Sequence, residues 1–425
     1  MSTFVRVLAV VAGAALFGAT VHAILANMLV PRPRQALIGK VATAPTRDAF
    51  RWLAFRRPSY VSRDALLAAS GPVTVLVQLV VFVISFVVAA ALLVYGFTGG
   101  GVTHSVYEAG SSLLTLGIVE PANTGTIAVG LITAFVGLVV VAILIGYLMT
   151  LYSAYSQRES AVAQLGLLAG EPAWGPELLC RSTLLGNTDR SQLYDSWTDW
   201  ISDVRLSHVL YPILNQFRSS QPRRHWLATL IAVLDAAALE FTTLEPTSNR
   251  TALVRVLAEG TETLSSLRAA TRPVAATPNE GPSDGSPDPA ARWLLSGSSA
   301  AESAVLAAIS ADSQASLIGP NAAEAARRVD DPGITRDQWS YACELLSAAG
   351  MNLQPDSEAA WQAFRAIRAS YANNAYAMAQ EVYAAPAPWS GPRRPDTPVM
   401  WPTLASKEFR AVQSDGRGDD ASPTT

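Results

Sequence analysis

The sequence predicts an all-α membrane protein: three transmembrane helices, a short re-entrant loop between the second and third, and a cytoplasmic helical region after them. Three observations carry this. Of 425 residues, 50% are hydrophobic and only 15% charged, a balance that points away from a purely soluble enzyme. Three apolar runs contain no Asp, Glu, Lys or Arg, and each is long enough to cross a hydrocarbon core of about 30 Å. Much of the remainder repeats apolar residues at helical spacing.

The first run is Val7 to Val30. A signal peptide ending in "VHA" at Ala23 is the alternative, but the apolar run continues through "ILANMLV", which favours an uncleaved helix. The second run, Val73 to Phe97, starts after Pro72, a residue that a first helical turn tolerates, and has Gln78 as its one strongly polar side chain. The third, Ile127 to Leu151, ends among Tyr147, Tyr152 and Tyr155, before Arg158. Aromatic residues favour the membrane interface.

Loop charge sets the expected orientation. Arg32, Arg34, Lys40, Arg47, Arg51, Arg56, Arg57 and Arg63 crowd the first link against the single acid Asp48. The second link, Thr98 to Gly125, has no Lys or Arg, only Glu108, Glu120 and His104. The basic link is therefore expected in the cytoplasm of a bacterial inner membrane, with the N-terminus outside and the long C-terminal part inside. Arg6 is a small objection to this orientation. Within the link, "TRDAFRWLAFRRPSY" interleaves Phe50, Trp52, Leu53 and Phe55 with arginines. It reads either as an interfacial helix or as a charged loop that only sets topology.

The second link holds "SSLLTLGIVEP", Ser111 to Pro121, preceded by "HSVYEAG". It is too apolar for an ordinary loop and too short for a span. Non-helical backbone at membrane depth must be buried in protein or line a water-filled cavity. Tyr107 to Leu151 resembles the pore-loop and inner-helix half of the two-transmembrane potassium-channel family, with Val73 to Phe97 as its outer helix. The family filter T-V-G-Y-G-D corresponds here to Thr115, Leu116, Gly117, Ile118, Val119 and Glu120. Ile118 replaces Tyr and Val119 replaces the second Gly, where a β-branched residue is poorly suited to a positive φ.

The resemblance implies a homotetramer in membrane lipid, with a pore loop whose backbone carbonyls at Thr115, Leu116, Gly117, Ile118 and Val119 meet a permeant monovalent cation, K⁺ by analogy. It also implies a negative outer mouth at Glu120 and Glu108, and gating bends in the third helix at Gly130 and Gly137, with Gly146 further on. "SAYSQRE" resembles the stretch that follows the inner helix in a bacterial subgroup of channel-like proteins. Trp197, Trp200, Ser207, His208, Tyr211, Pro212, Phe217, Arg218, Ser219, Trp226, Leu234 and Asp235 extend that likeness, which spans roughly residues 70 to 245.

The cytoplasmic part reads as helical bundle. Leu193, Trp197, Trp200, Ile201, Val204 and His208 share one helical face. "HWLATLIAVLDAAALEF" resembles a fourth span but contains Asp235 and Glu240, so a buried bundle helix is expected. Arg272 to Pro289 is rich in Pro, Ser, Gly and Asp. The expected organisation is a first span at 1–30, a basic link at 31–70 and a pore module at 71–156. Behind them come a helical domain at 157–270, a linker at 271–290, a helical segment at 291–384 and a disordered tail at 385–425.

A net charge of −3 gives no basic field for nucleic acid. Cys180 and Cys343, with His22, His104, His208 and His225, show no zinc or redox spacing, so no metal or cofactor is expected. His208 with Asp203 or Asp235 is a weak catalytic candidate, because no serine or cysteine stands in a nucleophile motif, and an enzyme is not expected. The competing class is a non-conducting membrane scaffold or receptor that binds a cytoplasmic protein partner through its soluble helices.

Overall fold

The computed structural model describes residues 3–28, 37–187, 189–244, 249–271, 333–354 and 357–390. Nearly all of these are helical; among them the one β feature is an isolated bridge between Leu244 and Leu353. Four helical stretches are long and apolar enough to cross a membrane: Thr3–Met28, Tyr60–Thr98, Thr124–Ala169 and Trp226–Thr243. The first three bury 28%, 39% and 28% of their apolar windows, the fourth 94%. The chain divides into two units, Met1–Tyr155 with Leu210–Arg218, and Ser156–Val209 with Ser219–Thr425.

The first unit contains α1 (Thr3–Met28), α2 (Leu37–Phe55), α3 (Tyr60–Ala68), α4 (Ser70–Thr98), α5 (Val102–Leu113) and the first part of α6 (Thr124–Ala169). Small residues let α1 and α4 pack antiparallel at close range. A Cβ at Gly13 would lie 2.8 Å from Ala89 O, and one at Gly96 would lie 2.9 Å from Arg6 O. Arg6, the one charge at this end of α1, donates to Gly96 O (3.0 Å) and Phe97 O (2.7 Å). It thereby satisfies two of the carbonyls that the last turn of α4 leaves without helical partners. At the opposite end Ile24 joins Phe82, Phe86, Leu144, Leu151 and Leu214 in one apolar cluster.

Helix α6 has 46 residues, about 69 Å at 1.5 Å per residue. In its first half it buries a single stripe, Thr126, Val129, Thr133, Gly137, Val140, Leu144, Tyr147 and Leu151, at steps of three or four residues. Leu131, Phe135, Leu138, Ile145 and Met149 remain exposed on its other faces.

The second unit is built around α9 (Trp226–Thr243), of which every residue but Phe241 is buried. Around it pack α7 (Gly175–Leu184), α10 (Arg250–Thr271) and α12 (Ser357–Glu381); α8 (Ser191–Leu210) and α11 (Arg336–Ala348) complete the unit. The fit of α7 on α9 depends on Gly175, where a Cβ would stand 2.8 Å from Ala236 N; any side chain there forces a backbone shift costing about 1–3 kcal/mol.

The two carboxylates of α9 are paired. Asp235 accepts from Arg368 (2.9 Å) and Tyr371 (2.7 Å), and Glu240 accepts from Arg190 at both oxygens (2.8 Å each), Tyr194 (2.7 Å) and Asn249 (2.7 Å). A buried carboxylate survives only with such partners. Asp235, which argued from sequence against a membrane span, is thus part of a bundle core.

Two boundaries differ from expectation. Residues 385–390, expected to begin a disordered tail, are packed: Ala385, Ala387 and Trp389 are buried, and Trp389 O accepts from Arg368 and Tyr376. The burial of one tryptophan outweighs the Pro-rich composition. Second, Leu210–Arg218, expected within the cytoplasmic domain, belongs to the first unit. The expected linker beyond Thr271, the helical stretch "AESAVLAAISADSQASLI", and Arg32 and Arg34 lie outside the described residues.

Candidate functional site

The quoted loop begins where α5 ends, and the way α5 ends is specific. Thr115 N donates to Ser112 O (3.1 Å) and Leu116 N to Ser111 O (2.8 Å), with Thr115 in the left-handed region at φ +55°. This pair of bonds is a Schellman closure, which normally has glycine at the left-handed position. A β-branched residue there carries about 1–2 kcal/mol of strain. Gly117 follows with φ +65°, a conformation glycine adopts without that cost. Among the described residues Val119 is not in the left-handed region.

Ser111 organises the turn. Its carbonyl accepts Leu116 N, and its buried hydroxyl oxygen accepts Ile118 N at 2.8 Å. The four backbone positions Thr115, Leu116, Gly117 and Ile118 are exposed on the single chain, Val119 is half-buried and Glu120 is exposed. The chain then enters α6 through a reciprocal cap: Asn123 Oδ1 accepts Thr126 N (3.0 Å) while Thr126 Oγ1 accepts Asn123 N (3.2 Å).

Gly130 and Gly137 face α5. A Cβ at Gly130 would lie 3.2 Å from Ser112 Oγ, and one at Gly137 would lie 2.6 Å from Leu113 O. Both sit in the uninterrupted α6, where they admit the last turn of α5. Gly137 lies 13 residues after Thr124, about 20 Å down the helix, so α5 ends deep beside α6 rather than at its tip. Gly146 has no such neighbour within 4 Å.

Glu108 stands apart from the exposed Glu120. It is only 2% exposed on the single chain, and neither carboxylate oxygen has a hydrogen bond. His104 Nδ1 lies 3.8 Å from Glu108 Oε2. The small contact of Ala109 with Ala90 and Ala91 draws α5 against α4 and explains why a residue of this type is covered.

At the other end of the first unit, the 3₁₀ turn Pro212–Gln216 and its flanks form a strap over α3, α4 and α6. Leu214 is fully buried and Tyr211 meets Tyr147 edge to face with centroids 5.7 Å apart. Gln216 Oε1 accepts from Thr74 Oγ1 (3.2 Å), Tyr155 OH donates to Arg218 O (3.1 Å), and Arg218 forms a buried ion pair with Asp64 at 3.0 Å. The Phe217 ring fills the place of the missing Cβ at Gly71. Sequence reasoning found Tyr211, Pro212, Phe217 and Arg218 but not their destination.

The catalytic candidates do not come together. His208 Nδ1 lies 2.9 Å from Val204 O and its Nε2 lies 3.0 Å from Arg158. The carbonyl and the guanidinium require Nδ1 to carry the proton and Nε2 to accept. Asp235 bonds Arg368 and Tyr371, and Asp203 bonds Gln157. Burial, then the Arg158 charge, hold the His208 imidazole well below the usual histidine range. Burial pushes the Cys180 thiol up to about 12 and that of Cys343 to about 11, so both are weak nucleophiles at neutral pH.

No family model, no curated protein and no solved structure matches the chain.

Proposed function

We propose that the chain is a three-span, pore-loop protein of a bacterial inner membrane, that four copies surround a central axis, and that Thr115 to Ile118 line the narrow passage for a monovalent cation, with K⁺ the first candidate by resemblance to potassium channels. The observation that carries this reading is the depth of α5. Its last turn contacts Gly130 and Gly137, and the backbone after it turns back to the start of α6 within ten residues.

A loop of this kind needs a water-filled or protein-lined setting. Four copies supply one: the exposed loops meet around an axis, and the exposed apolar faces of α6 meet neighbours or lipid. Glu120 gives the mouth a negative field. The basic link α2–α3 lies on the cytoplasmic side by its charge. The role is transport rather than catalysis. The strap is continuous along the chain with the second unit at both ends, which it leaves at Val209 and rejoins at Ser219.

A second reading has its own observation. Only Thr115 and Gly117 in the loop take left-handed φ; Val119 does not, so the outer turn expected of a potassium filter is not formed. This favours a non-conducting scaffold that binds a protein partner through the second unit. Cross-linking in native membranes separates the oligomer from a monomeric anchor: a ladder ending at four copies supports the pore, and monomers alone remove it.

A further inference from the structure

The fold leaves one face of α2 and the start of α3 uncovered. Trp52, Leu53 and Phe55 are 57%, 43% and 54% exposed, while Ala54 between them is buried and α2 packs on α4. Arginines flank this row. The Arg56 guanidinium lies 3.6 Å from the Trp52 ring centroid, and that of Arg63 lies 6.0 Å from the Phe55 centroid.

The charge of this face is one-sided. From Leu37 to Ala68 the basic residues are Lys40, Arg47, Arg51, Arg56, Arg57 and Arg63, and the acids are Asp48 and Asp64. Asp48 lies 3.4 Å from Arg47, and Asp64 is buried against Arg218 at 3.0 Å, so neither acid offsets Arg56, Arg57 or Arg63. The face is joined through α3 to the first turn of α4, a helix of spanning length.

We propose that this face binds anionic phospholipid, with Trp52, Leu53 and Phe55 at the boundary of the acyl chains and Arg56, Arg57 and Arg63 on the headgroup phosphates. The chemistry matches on both counts. Aromatic and aliphatic side chains gain by entering the headgroup–acyl boundary, and arginine stems lie along apolar surface while their heads reach phosphate. A second copy of the same face would set like charge against like, and an acidic protein surface would satisfy the arginines but not the apolar row. Each basic residue held near an anionic surface is worth about fivefold in binding. The proposal rests on the membrane assignment and not on conduction.

The test uses the full chain in liposomes and reads Trp52 alone, as the emission of the native protein minus that of Trp52→Phe. Brominated phosphatidylglycerol or brominated phosphatidylcholine is included at the same low mole fraction. The expected result is stronger quenching by the anionic lipid, with the preference falling by about fivefold or more in Arg56→Gln/Arg57→Gln/Arg63→Gln. Equal quenching by the two lipids removes headgroup recognition. Absence of quenching by either means that protein covers the face, and also overturns the proposal. Failure of the chain to float with the liposomes refutes the membrane assignment itself, a different result from the other two.

Discussion

Ser111 holds Ile118: the hydroxyl oxygen of one accepts the backbone N–H of the other at 2.8 Å, joining the last turn of α5 to a residue seven positions further on in the loop. With Leu116 N on the Ser111 carbonyl, one residue fixes both sides of Gly117. Ser111→Ala removes one bond and keeps the other. The expected cost is about 1 kcal/mol of stability. In the pore reading, discrimination between K⁺ and Na⁺ falls while the oligomer persists, measured as the ratio of the two fluxes in liposomes. An unchanged ratio in a conducting variant means the bond does not shape the passage.

Thr115 carries the left-handed turn that glycine would carry more easily. Thr115→Gly relieves about 1–2 kcal/mol of strain and adds about 0.5–1 kcal/mol of chain entropy to the unfolded state, so stability is expected to hold or rise. Thermal unfolding in detergent checks this. A clear fall in unfolding temperature contradicts the strain. Held stability with lost flux assigns the threonine to function rather than to folding.

The Asp64–Arg218 pair anchors the strap from inside the first unit. Arg218→Glu leaves two buried acids facing each other, with an expected cost of about 3–5 kcal/mol. The exchange Asp64→Arg with Arg218→Glu is expected to recover a large part of that loss, again by thermal unfolding. If the double variant is no more stable than the single one, the pair is not what holds the strap.

His208 gives a pH prediction with a definite sign. Its folded pKa lies below the unfolded value of about 6.5, so the unfolded chain binds the proton more readily. Its contribution is present above about pH 6.5 and is lost as pH falls toward the folded pKa, at about 1.4 kcal/mol per pH unit. Unfolding temperatures at pH 7.5 and pH 5.5 are expected to differ more for the native chain than for His208→Asn, whose amide N–H can still donate to Val204 O. Equal slopes contradict the assignment.

Much of the layout was legible because length and charge dictate it. The three uncharged runs became α1, α4 and α6, and Asp235 with Glu240 gave the buried nature of α9 before any partner was known. The periodicity of α8 was equally plain in Trp197, Trp200 and His208. What sequence did not reveal depends on contacts made at a distance. Ser111 looked like one of two serines in a loop, and its spacing to Ile118 has no general signature. Arg218 gave no sign that Asp64 was its partner, so the strap read as part of the helical domain at 157–270 rather than of the first unit. Glu108 read as an outer-mouth residue beside Glu120 because nothing in its own neighbourhood says that Ala90, Ala91 and Ala109 bring two helices together. Trp389 alone could have warned that the chain stays ordered past Ala385.

The most direct test of the central claim is cation flux through Ile118→Cys before and after an external, membrane-impermeant thiol reagent. Ile118 is exposed, Cys180 is buried, and the half-buried Cys343 thiol has a raised pKa, so the new cysteine is expected to react first, with the native protein as the control for Cys343. The account predicts that modification blocks K⁺ flux in this variant and leaves the native protein unaffected. Complete modification, verified by mass, with flux unchanged would place the conducting path elsewhere. An absence of flux through the native protein would leave the scaffold reading.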